Sequence, residues 1–452
     1  MQIGQISGIH LPVRYRKNDR LRQLLGDALA VAVLTGALVL HVAGLASLHF
    51  GYLNYLFNDA ENRLGQGSDF FAVYQAGHDF LHGVSVYMPH TSKAGSDVPY
   101  AYPFRYLPSV GFSFGALLNL LPAWPAYWTW AAFNELLLVI NVAITWRVAG
   151  NRALKVLGVS MWLVYSPFYI ELFMGQFNFL MATLIFWLGL TLREDRRLEV
   201  FGSWTASLLA KTNSLILLPV AWRTGWLRIA IGGIVVAGLI NLPYFLTVHG
   251  AWQTWSGNFS FLGSGADVDP HAGNLGLTSI AALLREEGRS GLAGDVARLA
   301  GQVPWGSITI LVSIVATLRA STRRLLPLLA LWLCVYFFVF NDVWEHQYVM
   351  LLPALVLLVL FDDGVRPWAL VVFVFLALPT PYAALHAGSP RGLNYQYVNP
   401  QQYWSSAEVY AYHLTKVLPA LILWAVSIWT VVHDPMPPMR IALPWRRRTD
   451  MP

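Results

Sequence analysis

Long apolar runs, almost free of charge, recur along the chain, and most Arg and Lys residues fall in the short segments between them. Such runs predict helices that cross a bilayer, because lipid leaves every backbone polar group to be satisfied within the segment. The first run, about 27–49, follows Arg14, Arg16, Lys17, Arg20 and Arg22. An excess of basic residues marks the cytoplasmic side. Residues 1–26 therefore read as a cytoplasmic arm and 51–105 as a first outer loop. The next run, about 107–121, is short and closes on Pro122 and Pro125. It reads as a re-entrant, half-depth helix, since a full crossing would put Arg147, Arg152 and Lys155 outside. Segments near 126–147, 154–172 and 176–192 then cross in turn and bring Arg193–Arg197 inside. Residues 201–222 read as a hairpin of two short helices with Lys211 at its outer tip. A crossing at about 226–247 leads to a second outer loop, 248–303, which holds an amphipathic segment near Leu283–Leu299. Crossings near 304–319, 325–341, 347–361, 366–385 and 410–432 complete a single domain over 27–432, followed by a basic cytoplasmic tail, 433–452. The expectation is an all-α polytopic membrane protein with about twelve membrane helices.

Composition agrees. The chain is 56% hydrophobic and only 12% charged, with a mean hydropathy of +0.49, which excludes an ordinary soluble enzyme. The net charge of +6 is carried by short loops and termini, so it is a topology signal and not a nucleic-acid footprint. Many of the 19 Trp lie near span ends, as in interfacial belts. The single Cys334 excludes a disulfide within the chain. The N-terminal arm is polar and lacks a clean small-residue cleavage site, so no cleavable signal peptide is expected. No Gly-rich loop ending in Gly-Lys-Ser/Thr is present, so the sequence does not implicate ATP. The two halves show no internal repeat, which argues against a transporter.

The unusual polar residues fall on the outer side of this topology. Ser68 and Asp69 open a helix on which Phe71, Tyr74, His78 and Leu81 recur as one aromatic-apolar face, predicting an interfacial helix in the first outer loop. Either residue could simply cap it. Arg105, in Phe104–Pro108, stands where the chain meets lipid; its guanidinium could snorkel to headgroups or clamp a phosphate. Lys211 sits between apolar stretches with no acidic neighbour in sequence, and an ionisable residue so placed is costly enough to suggest function. Gln176 and Asn178 open another span, where interhelical hydrogen bonding competes with ligand contact. Glu345 and His346, close to Asn341 and Asp342, open a further one. Asp267 and Asp269 form a D-x-D pair in the second outer loop, a weak metal signal, and the twelve His show no zinc spacing.

These residues, in this order, carry a resemblance: Asp69, Phe70, Tyr74, Ala76, Gly77 and Tyr87; Phe104–Pro108; Trp130 with Asn134; Gly175, Gln176 and Asn178; Leu209–Thr212; then Glu345 and His346 before a Pro-containing span. Over about residues 27–360 the chain resembles the membrane glycosyltransferases of the GT-C fold. It is most similar to bacterial polyprenyl-phosphate-dependent α-mannosyltransferases of phosphatidylinositol mannoside synthesis, in glycosyltransferase family 87. The Tyr-Leu-Pro at 106–108 departs from the Tyr-Pro-Pro of many relatives, and the stretch between Tyr87 and Tyr100 has no counterpart.

The resemblance implies a bacterial cytoplasmic-membrane enzyme with its active site on the outer face. It would move a sugar, mannose first among the candidates, from a polyprenyl-phosphate donor to a lipid or glycan acceptor, without metal or cofactor. Asp69 would be the general base. Lys211, Arg105 and His346 would bind the donor phosphate, and Tyr74, Tyr106, Gln176, Asn178 and Glu345 would line the substrate site. Other lipid-linked sugars (arabinofuranose, galacturonic acid, glucose), a lipid or solute transporter, and a silent sugar-lipid-binding subunit are the competing readings.

Overall fold

The computed structural model describes residues 14–51, 66–87, 98–99, 103–257, 268, 273–286, 291–321, 324–380 and 404–433, with side chains described from residue 26 onward. The Asp267/Asp269 pair, the first residues of the N-terminal arm and the C-terminal tail beyond His433 lie outside them. Every regular element among the described residues is helical. Among the described residues, five helices are long and apolar enough to cross a bilayer: Gly26–Phe50, Ala123–Val148, Arg152–Met174, Leu227–Thr247 and Ser406–Val432. A sixth arises if Leu292–Gln302 and Trp305–Arg319, bent by 56°, count as one. The remaining apolar helices, among them Asn178–Arg193, Leu325–Val339, Glu345–Phe361 and Arg366–Ala377, are shorter. Among the described residues the expected twelve are not reached as full-length helices, and the chain is broken at polar positions. Lys211 has extended backbone between a helix ending at Ala210 and a 3-10 turn, Thr212–Leu217, and Glu345–Leu351 is also wound as 3-10.

Two further expectations change. The amphipathic segment near 283–299 is two helices, Leu277–Arg285 and Leu292–Gln302; Gly291, at φ 89°, starts the second. They pack so closely that a Cβ on Gly301 would meet the Arg285 backbone nitrogen at 2.5 Å. The helix expected to lie open on one face, Ser68–Leu81 (α1), is instead buried on nearly all sides from Phe70 to Gly77. Its partner is the run expected to be re-entrant, Pro108–Leu118 (α2), an apolar helix too short at about 1.5 Å per residue to cross a ~30 Å hydrocarbon core. The two backbones touch: a Cβ on Gly77 would stand 2.0 Å from the carbonyl carbon of Gly115, which lies in a π-helical turn, Gly111–Gly115. Asn119 Nδ2 donates to the Tyr74 and Gly115 carbonyls and ties the two helices, while Asn241 accepts from Ser109 N and holds the start of α2 to the helix Leu227–Thr247.

Buried polar groups also fasten the first long helix. His41 bonds Tyr169 and Glu135 through its two ring nitrogens, each at 3.1 Å. Unpaired, these groups would be costly in an apolar bundle.

The Gly77–Gly115 contact leaves no room for a methyl group, and backbone cannot swing aside as a side chain can. Gly77→Ala is expected to lower stability by about 1–3 kcal/mol. Gly202→Ala, where a Cβ meets nothing within 4 Å in a helix, should be neutral or slightly stabilising. Thermal melting in detergent checks both; equal melting of the two variants would contradict the contact.

Candidate active site

The sequence Phe173-Met-Gly-Gln-Phe-Asn178 makes a tight turn between two buried helices, Ser166–Met174 (α3) and Asn178–Arg193 (α4). Gly175 sits at φ 69°, where a β-carbon is strained, and any Cβ there would lie 2.5 Å from that of Phe70. The start of α1 docks on this turn: Gly67 N donates to the Phe173 carbonyl at 2.8 Å, and Ser68 Oγ to Met174 Sδ at 3.8 Å. Asp69 follows immediately. Neither Ser68 nor Asp69 caps α1; its N-cap is Gly67, with no side-chain cap bond. The carboxylate is thus left to other partners.

Those partners come from four separate parts of the chain. Gln176 Oε1 accepts from the Tyr106 hydroxyl at 2.7 Å and from Lys211 Nζ at 3.4 Å, which leaves its amide nitrogen to bond Asp69. Lys211 Nζ donates to Asn178 Oδ1 at 2.6 Å and stands 5.8 Å from the centre of the Tyr106 ring. Arg105, His346 and Lys211 all bear electrostatically on Asp69. Burial pushes the Asp69 carboxyl above the usual carboxylate range; His346, Lys211, the Gln176 hydrogen bond and Arg105 oppose that rise without cancelling it. A carboxylate held among cations, with its proton affinity raised, can take a proton from a hydroxyl. The cations beside it can hold an anion. Among the described residues no three His, Cys, Asp or Glu side chains cluster as a metal site would require.

Of the nine residues singled out in the sequence, Asp69, Tyr106, Gln176, Asn178 and Lys211 are joined here by hydrogen bonds, and the exposed Arg105 and the buried His346 act on Asp69 by their charge. Two do neither. Tyr74 lies five residues beyond Asp69, roughly 140° round the helix, and its hydroxyl instead donates to the Leu121 carbonyl at 2.9 Å. Glu345 turns away from the cluster to a fully buried ion pair with Lys416 at 3.0 Å.

One residue that sequence reasoning passed over belongs here. Glu171, buried on α3, accepts from Asn178 Nδ2 at 3.0 Å and from Phe179 N at 2.9 Å. It fixes which way the Asn178 amide faces and so turns Oδ1 toward Lys211. A lone acid inside an apolar run was the available signal. Behind the turn, Trp130 stacks on Phe177 at 4.2 Å and donates to the Gln176 carbonyl at 3.3 Å, which gives the W-x-x-x-N motif its place.

The sequence model of glycosyltransferase family 87 matches residues 104–341, more than half of the chain. The chain belongs to glycosyltransferase family 87. The match spans Arg105, Tyr106, Gln176, Asn178 and Lys211, while Asp69 and the 345–346 pair lie beyond its ends. No curated protein and no solved structure shows significant similarity to the chain. Family membership and the apolar helices together make this a GT-C-like, multi-pass membrane glycosyltransferase and set aside the transporter reading.

Glu171 accepts two N–H groups, so Glu171→Gln must set its own NH2 against one of them. A loss of about 1–3 kcal/mol is expected, read as a lower melting temperature in nanodiscs. An unchanged melt would show that Glu171 does not hold the turn.

Proposed function

We propose that this family 87 enzyme transfers a sugar, mannose first, from a polyprenyl-phosphate donor to a hydroxyl of a lipid or glycan acceptor by inverting single displacement. The observation that carries the reading is the gathering of Lys211, Arg105 and His346 around Asp69. Asp69 acts as general base. It takes the proton of the acceptor hydroxyl as that oxygen bonds to the anomeric carbon. The bond from that carbon to the phosphate oxygen breaks, and its electron pair leaves with the phosphate. A base so placed contributes roughly 10²–10⁴-fold. Phosphate needs no general acid, but the charge it gains must be stabilised, and a cation already held in place, as Lys211 is by Asn178 and Gln176, does this with little reorganisation. Lys211 and Arg105 hold the phosphate in the bound donor, and His346 completes the set. Gln176 and Asn178 orient Lys211, while Tyr106 closes one side. The donor's long lipid stays in the bilayer, which accounts for an active site built where broken helices leave polar residues at span ends. Loop charge supports about twelve membrane segments, several of them short or re-entrant, with the site on the outer face; the resemblance to bacterial family 87 enzymes supports a bacterial cytoplasmic membrane.

The test is transfer of radiolabelled sugar from synthetic polyprenyl-phosphate-mannose by purified protein in nanodiscs, with cell lipid extract as acceptor. Asp69→Asn is expected to keep donor binding and lose at least about 100-fold in kcat. Lys211→Ala should weaken donor binding as well as turnover. Full activity of Asp69→Asn would remove the mechanism, and absence of donor binding by the wild-type protein would assign a different lipid-linked sugar.

The raised proton affinity of Asp69 gives a pH prediction with a definite sign. The base is competent only when ionised, so kcat/KM falls as pH drops through its pKa. That acidic limb should lie above the ordinary Asp value of about 3.9. Removing a neighbouring cation, as in Arg105→Gln, favours the protonated form and should move the limb further up. A limb at the ordinary value, or one that moves down in Arg105→Gln, would contradict the assignment.

A further inference from the structure

We propose that Lys416, on the long helix Ser406–Val432, is a positioning residue of the active site: through Glu345 it sets the rotation of the Glu345–Leu351 turn and so turns His346 toward the side of the Glu171 and Asp69 carboxylates. The proposal rests on the functional reading above, and it extends the site to a helix beyond the family match, which ends at residue 341.

The Lys416 and Glu345 side chains are both fully buried and paired at 3.0 Å. All three ammonium protons are spoken for: besides Glu345, Nζ donates to the Leu376 carbonyl at 2.9 Å and to the Leu378 carbonyl at 2.5 Å. Those carbonyls belong to the end of the helix Arg366–Ala377 and the residue beyond it, where intrahelical partners run out. Glu345 is completed in turn by Thr380, which donates from Oγ1 at 2.8 Å and from its backbone N at 3.2 Å. One ammonium therefore ties together three elements that meet beside the site.

A buried ion pair of this kind adds little stability over apolar residues of the same volume, because desolvation offsets the attraction. What it supplies here is a fixed orientation. Glu345 and His346 are adjacent in a 3-10 turn, where successive side chains point about 120° apart. With Glu345 pinned toward Lys416, His346 is sent the other way, and its electrostatic neighbours are Glu171, Asp69, Lys211 and Asp342. Were the turn free to relax toward an α-helix, each step would rotate by about 20° less and His346 would swing off that line.

The test compares Lys416→Met, the double variant Glu345→Gln/Lys416→Met, and Thr380→Val in nanodiscs. Lys416→Met strands a buried carboxylate and is expected to melt early. The double variant removes both charges and is expected to regain most of that stability. It should nonetheless turn over about 10- to 100-fold more slowly, with donor KM raised no further than in His346→Gln, since Lys211 and Arg105 are untouched and only the placing of His346 is lost. In histidine-labelled protein the His346 resonance, assigned by its loss in His346→Gln, should shift in the double variant. Thr380→Val loosens Glu345 without breaking the pair and should shift the same resonance; it decides the matter if the double variant does not fold. A double variant, or Thr380→Val in its place, with wild-type kcat and an unmoved His346 resonance would overturn the proposal and leave the pair a structural clip. If the wild-type protein transfers no sugar, the proposed function fails, while the His346 resonance still decides the positioning role.

Discussion

The close approach of Phe70 to Gly175 is the constraint on which the site depends. A turn with no side chain, in a left-handed conformation, lets the start of the Ser68–Leu81 helix sit directly on the link between two buried helices. Without that contact Asp69 would be an acidic residue in an extramembrane loop. With it, Asp69 reaches Gln176, and through Gln176 it reaches Tyr106 and Lys211. The second glycine contact, Gly77 against Gly115, holds the other half of the same helix. Two close contacts, Phe70 on Gly175 and Gly77 on Gly115, thus fix where the helix that carries Asp69 sits.

The electrostatic arrangement follows from where the helices stop. Polar side chains cannot be left unpaired in an apolar bundle, so the chain breaks its helices where such residues gather: at Lys211, at the 173–178 turn and at Glu345–Leu351. The groups exposed by those breaks satisfy one another. Glu171 orients Asn178, Asn178 holds Lys211, and Lys211 faces Asp69. The charges of this network are held in place before any substrate arrives.

Much of this was legible in the sequence. The apolar runs and loop charges gave an all-helical membrane protein, and the polar residues at span ends supplied most of the cluster. What was not legible has physical causes. Periodicity assigned the face of the Ser68–Leu81 helix from four aromatic and apolar positions, but the second helix that covers its other side is set by glycine contacts that periodicity cannot register. Tyr74 was read from its company in sequence, yet helical rotation carries it away from Asp69. Glu345 was linked to the site because it precedes His346, but adjacency in a 3-10 turn separates two side chains instead of joining them. Lys416 was missed because it is a single charge in an apolar run whose partner, Glu345, lies seventy-one residues back, and Glu171 because the glycine turn that folds Asn178 back onto it leaves no periodic mark.

The central claim is that Asp69 removes a proton and does not itself attack the sugar. The anomeric configuration of the product decides between the two. With a β-linked polyprenyl-phosphate-mannose donor, proton spectra of the purified product should show an α-linked mannose, the outcome of one inverting displacement. A β-linked product, which requires two displacements and a covalent sugar on the enzyme, would contradict the account.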